Sequence, residues 1–180
     1  VRGLRGLYFQ RTGNYRDALT EFQVAASLDP QNPARFVSLG DAYALTGDLV
    51  LALESFQYAA LIAPGDATYW RALAEFCGRN GIQLKDIAIP AAQRAVVLAP
   101  DDARSEAVLG WLWYLHGGFL EAERHLLRAL ELDPQNDSAY LHLGMVYLRI
   151  GDRPRAFENL IHARDLGNAQ AEDMLKQLSP

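Results

Sequence analysis

The stretch ARFVSLGDAYALTGDLVLALESFQYAALIAP, residues 34–64, decides the fold. Apolar and small residues recur three and four apart on both sides of Gly47-Asp48, which is the period of an amphipathic helix and not of a strand. The stretch therefore predicts one helix over 34–45 and a second over 49–62. The Gly-Asp pair breaks them and Pro64-Gly65-Asp66 closes the second. A residue before proline is biased away from the helical region, so Ala63-Pro64 marks the boundary of the unit.

Outward from this helix pair the same punctuation returns. Pro30, Pro64, Pro100 and Pro134 are spaced by 34, 36 and 34 residues, and Gly13, Gly47, Gly81, Gly117 and Gly151 by 34, 34, 36 and 34. Ala18, Ala52, Ala88, Ala122 and Ala156 keep the same register. Because Ala88 already carries the two extra residues, the insertion lies between Gly81 and Ala88. Three series with one shared defect specify a tandem repeat whose units bury their apolar faces on their neighbours. Small residues also recur on the first helices, at Gly6, Gly40, Ala74, Gly110 and Gly144. Glycine there costs about 1 kcal/mol of helix propensity relative to alanine. The expected return is close approach of the paired second helix at the alanines just named.

These residues resemble the tetratricopeptide repeat across essentially the whole chain. That family's pattern asks for a large residue, leucine, a small residue and an aromatic on the first helix, then alanine, aromatic, alanine and proline. The second repeat supplies Phe36, Leu39, Gly40, Tyr43, Ala52, Phe56, Ala59 and Pro64. The first has Gly6, Phe9, Ala18, Phe22, Ala25 and Pro30 but lacks the opening residues. The fourth has Glu106 at the large position, followed by Leu109, Gly110, Trp113, Ala122, Leu126, Ala129 and Pro134. The fifth has Tyr140, Leu143, Gly144, Tyr147, Ala156, Leu160 and Ala163, with Asn168 where proline is expected. The third departs most: Trp70 and Leu73 fit, whereas Ala74, Cys77 and Ala92 are smaller or different. The resemblance implies an all-α, right-handed superhelical solenoid of antiparallel helix-turn-helix repeats. Its units run over 1–32, 33–66, 67–102, 103–136 and 137–168, within one domain. Pro90 falls inside the second helix of the third repeat and should kink it or mark its true start. Ala171, Met174, Leu175 and Leu178 share one side of a final helix over 169–178, the arrangement of a solvating cap.

Composition excludes several functions. The chain has 180 residues, half of them apolar, and a net charge of −5, with no run of Lys or Arg. That argues against nucleic acid or an anionic membrane as partner. No apolar stretch approaches the roughly 18 residues that span a bilayer. The chain opens on Val1 with helical sequence at once, which reads as a piece of something longer; a cytoplasmic protein is the expectation for its location.

Catalytic chemistry finds no foothold. His116, His125, His142 and His162 are not paired with one another or with Cys77 at metal-ligand spacing, so they read as solvated surface residues with no metal. Cys77 stands where other repeats place Phe9, Tyr43, Trp113 and Tyr147, which reads as a buried small hydrophobe and not a nucleophile. Glu121, Glu123 and Glu131 lie on second helices facing outward, without a cleft to pair them. No phosphate-gripping loop or nucleophile elbow occurs, so no cofactor and no enzymatic activity are expected.

What remains is a protein-interaction scaffold. The resemblance implies a concave surface built from the first helices, holding a peptide or helix of a partner. The alternative is a regulatory or self-associating segment of a larger enzyme or signalling protein, monomeric or weakly oligomeric through an uncapped amino-terminal repeat. Opposite the core stripe, the third repeat offers Arg71 and Glu75, the fourth Arg104, Trp111 and Tyr114, and the fifth Leu141, Met145 and Leu148. These are the candidate partner-binding residues, charged in the middle and aromatic-apolar toward the carboxyl end. A second reading is that they pack between neighbouring first helices. The clamp with which some family members grip acidic chaperone tails would fall on Gly3, Leu7, Ser38, Thr68 and Ala72, none of which fits.

Overall fold

The computed structural model describes residues 1–178. Its helices are α1 (Arg2–Arg11), α2 (Tyr15–Leu28), α3 (Pro33–Thr46), α4 (Leu49–Ile62), α5 (Ala67–Asn80), α6 (Ile89–Leu98), α7 (Ala103–His116), α8 (Phe119–Leu132), α9 (Asp137–Ile150), α10 (Arg153–Asp165) and α11 (Ala169–Leu178). Among the described residues there is no strand, as the periodicity requires. No helix among the described residues is long and apolar enough to cross a membrane. The chain forms two compact units, Val1–Phe76 and Cys77–Pro180, with the division inside α5.

The glycine series marks the turns. Gly13, Gly47, Gly81, Gly117 and Gly151 all have φ between 63° and 91°. This left-handed conformation ends a helix without the clash that a Cβ would bring. The second helix then restarts on a cap: Asp48 accepts from the Leu51 amide and Asp152 from the Arg155 amide.

In the first unit α1 packs on α2, α2 on α3 and α3 on α4. Ala18, Phe22, Ala26, Leu39 and Ala42 form a buried cluster on which Phe9, Phe36 and Tyr43 close. Phe56 stacks on Phe76 with ring centroids 4.7 Å apart. A Cβ built on Gly40 would lie 2.8 Å from Phe56 and 3.3 Å from the Ala52 carbonyl oxygen. The recurring glycine thus makes room chiefly for the large residue one turn beyond the recurring alanine. The first repeat replaces the usual aromatic and leucine by Arg2 and Arg5, which pair at 3.1 and 3.3 Å with the buried carboxylate of Glu21.

In the second unit the two-residue insertion becomes a π-turn, Leu84–Ala88, in which the Ala88 amide donates to the Gln83 carbonyl at 3.0 Å. A π-turn absorbs extra residues without breaking helical hydrogen bonding. Pro90 falls in the first turn of α6, where its missing donor costs nothing, so it starts the helix and does not kink it. The core continues through Ala122, Leu126, Ala129, Leu143, Val146 and Tyr147. α11 closes the unit: Met174, Leu175 and Leu178 pack on the buried cluster of Leu141, Leu160, Ala163 and Ala171. Asn168, the departure from the proline pattern, has a double task. Its side chain accepts from the Ala171 amide at 3.0 Å, capping α11, and donates to Asp137 at 2.7 Å.

Candidate functional site

The predicted surface divides between the two units. In the first, Arg71 and Glu75 lie one helical turn apart on α5 and pair at 3.5 Å. Both side chains are half-buried, Arg71 with 19% and Glu75 with 39% of its side chain exposed.

In the second unit the surface is built on α7 and α9. Asp102 starts α7 by accepting from the Arg104 amide at 3.2 Å, which leaves the Arg104 side chain exposed. Trp111 is half-buried, and its position has a specific cause. A Cβ on Gly78 would lie 2.6 Å from the indole, so the ring occupies space that only glycine leaves open. Its other face stacks on His142, with centroids 5.7 Å apart and planes inclined by 15°. Trp111 therefore joins the end of α5 to α9, and the rest of its surface stays accessible. Tyr114 is half-buried against the core and meets Phe119 with centroids 6.1 Å apart. Leu115 beside it is 38% exposed.

The carboxyl-terminal part of the surface differs from expectation. Leu141 is only 4% exposed and belongs to the cluster beneath α11, so a partner cannot reach it. Met145 and Leu148 are half-buried against the same cluster. The reason is the cap: α11 needs an apolar seat, and these residues help to form it.

The histidines also require correction. His142 is not a solvated residue. Burial lowers its pKa to about 4, partly opposed by Asp137, and its buried Nδ1 has no hydrogen-bond partner among the described residues. It is neutral at pH 7. His125 Nδ1 lies 2.7 Å from the buried Glu106 carboxylate, while its Nε2 receives the Arg124 guanidinium at 3.1 Å. His162 is exposed and lies against Tyr140, with centroids 5.1 Å apart. Glu123, expected to face outward, accepts from the Tyr147 hydroxyl at 2.6 Å, while Arg155 sits 4.4 Å over that ring. Burial, and then Glu123, push Tyr147 up to about 12.

Cys77 is fully buried, as expected, and burial pushes its thiol up to about 11, so it stays protonated. No group of three or more His, Cys, Asp or Glu side chains that could hold a metal occurs among the described residues. Sequence reasoning missed the Trp111–His142 stack. The available signal was Gly78 itself, a glycine standing where the other repeats have Gln10, Ala44, Tyr114 and Leu148, in the repeat just before a tryptophan.

Two models described as tetratricopeptide repeat match the chain, over residues 4–67 and 125–158. The BBSome complex member BBS4 of Bos taurus is 30% identical over 162 residues, which are 87% of this chain and 30% of that protein. Its Caenorhabditis elegans counterpart is 27% identical over 93% of this chain and 38% of its own length. The chain thus spans about a third of these relatives. Among solved structures, the pilus biogenesis factor PilW superposes with a TM-score of 0.79 at 22% identity, over 94% of this chain and 86% of that one. YrrB, described as a TPR protein with an unusual peptide-binding site, superposes with a TM-score of 0.68 at 22% identity, over 98% and 91%.

Proposed function

The chain belongs to the tetratricopeptide-repeat family, and from that premise we propose that it is a non-enzymatic scaffold that holds a peptide or helix of a partner protein along α7. One observation carries this reading. The accessible parts of Trp111, Tyr114 and Leu115 adjoin one another on a helix whose first turn presents the exposed cation of Arg104. Large aromatic side chains anchor partners at low entropic cost, and a rim cation selects and steers them. The partner segment is therefore apolar, with a carboxylate toward the amino end of α7. Leu141, being buried, is withdrawn from the set, and Met145 and Leu148 serve mainly the cap. The relatives' names support an interaction role: BBS4 is a member of a complex, and YrrB has a peptide-binding site.

The test is selection of peptides from a random library on the whole chain, followed by titration of the selected peptide against variants. Arg104→Glu leaves packing intact and should weaken binding roughly ten-fold, about 1.4 kcal/mol. Trp111→Phe should weaken it while far-UV circular dichroism stays unchanged. Selected peptides that bind both variants like the parent would refute the α7 site.

A further inference from the structure

Two of the second helices, one in each compact unit, turn an apolar stripe away from the core. On α4, Val50 and Leu61 are 68% and 69% exposed, with Tyr58 beside them. On α8, Leu120 and Leu127 are 77% and 45% exposed. At 100° per residue Val50, Glu54 and Leu61 fall within an arc of about 40°, and Leu120, Arg124 and Leu127 within about 60°. A charge therefore stands in the middle of each stripe, negative on α4 and positive on α8. The two occupy one place in the repeat, two residues past the recurring alanines Ala52 and Ala122. The other second helices hold Thr20, Pro90 and Glu158 there. Glu158 lacks the apolar surround of Glu54: Pro154 stands where Val50 does, and Ile161 is only 38% exposed.

Neither charge is matched within the chain. Glu54 is exposed and makes no hydrogen bond or ion pair among the described residues. Arg124 meets the His125 ring at 3.1 Å and pairs with no carboxylate among the described residues. Beside it, Arg124, His125, Leu127 and Arg128 help to line an open depression of about 420 Å³. Covering a lone carboxylate between aliphatic side chains is costly unless the covering surface brings a cation. α8 brings one, set between aliphatic side chains of its own. α4 against α4, or α8 against α8, would instead oppose like charges. Both halves of a complementary contact are thus written in one sequence, which selects a second copy as the occupant. We infer that the chain associates with another copy of itself by laying α4 of one copy against α8 of the other, with Glu54 paired to Arg124 and the flanking aliphatic side chains closing over the pair. Neither stripe contains a residue of the α7 site.

The experiment follows the whole chain by sedimentation velocity and light scattering as its concentration rises. Association should grow with concentration and weaken as salt is added. Glu54→Arg and Arg124→Glu each set like charges opposite and should each weaken association at least roughly ten-fold. Both positions are exposed, and unchanged melting temperatures check that the fold is intact. Mixed with one another, the two variants should associate about as tightly as the parent, because each supplies the charge that the other has lost. Glu158→Arg should change nothing, which separates α4 from α10. A chain that stays monomeric at every concentration would overturn the inference. So would association that survives both reversals, a mixture no tighter than either variant alone, or an equal loss in Glu158→Arg.

Discussion

A glycine inside a helix is a local cost that only packing can repay, and Gly110 shows the balance. Alanine there would gain about 1 kcal/mol of propensity. Its Cβ would, however, lie 2.6 Å from Leu126 and 3.1 Å from the Ala122 carbonyl oxygen, and backbone does not move aside easily. Gly110→Ala is therefore expected to destabilise by about 1–3 kcal/mol in urea unfolding. Trp111 gives the opposite case, a large residue filling a space left by glycine. Trp111→Ala should cost about 2–4 kcal/mol, because Gly78, Leu112 and His142 cannot collapse into the gap. His142 adds a pH dependence. Folding lowers its pKa from 6.5 to about 4, so between these values the unfolded chain binds a proton that the folded chain refuses. Stability is full above about pH 6.5 and falls as the pH drops toward 4, by about 2–3 kcal/mol. Unfolding midpoints at both ends of the window check this, and His142→Leu should flatten that part of the profile.

At the scale of elements, two irregularities keep the repeat in register. The π-turn Leu84–Ala88 takes up the insertion, so Ala88 still reaches a fully buried position. Asn168 stands where the other repeats have proline, immediately before the first residue of α11, which it caps. Asn168→Ala removes both the cap on α11 and the bond to Asp137. The expected loss is about 1–2 kcal/mol, with faster amide exchange over Ala169–Leu178 than over α9. Were exchange over α11 unchanged, apolar contact alone would be holding the cap.

For the whole molecule, the ends differ. α11 covers the last repeat with an apolar side of its own, whereas Leu4, Leu7 and Tyr8 on α1 are exposed among the described residues. Hydrogen exchange should therefore show least protection over residues 4–25 and most in the fourth repeat, since stability in repeat arrays is local. The sequence by itself determined the helix pairs, their boundaries, the place of the insertion and the burial of Cys77. All of these follow from turn residues and from a period that repeats five times, signals that are local or periodic along the chain. It also singled out α7 as an aromatic surface. Only the tertiary structure decided how much of each side chain on that surface is left to a partner. Leu141 vanished beneath the cap, Trp111 was half taken by Gly78 and His142, and Glu106 found His125 across its helix pair. These outcomes depend on volumes and distances between residues on different helices, and a helical wheel assigns a residue to a face without saying what stands opposite it.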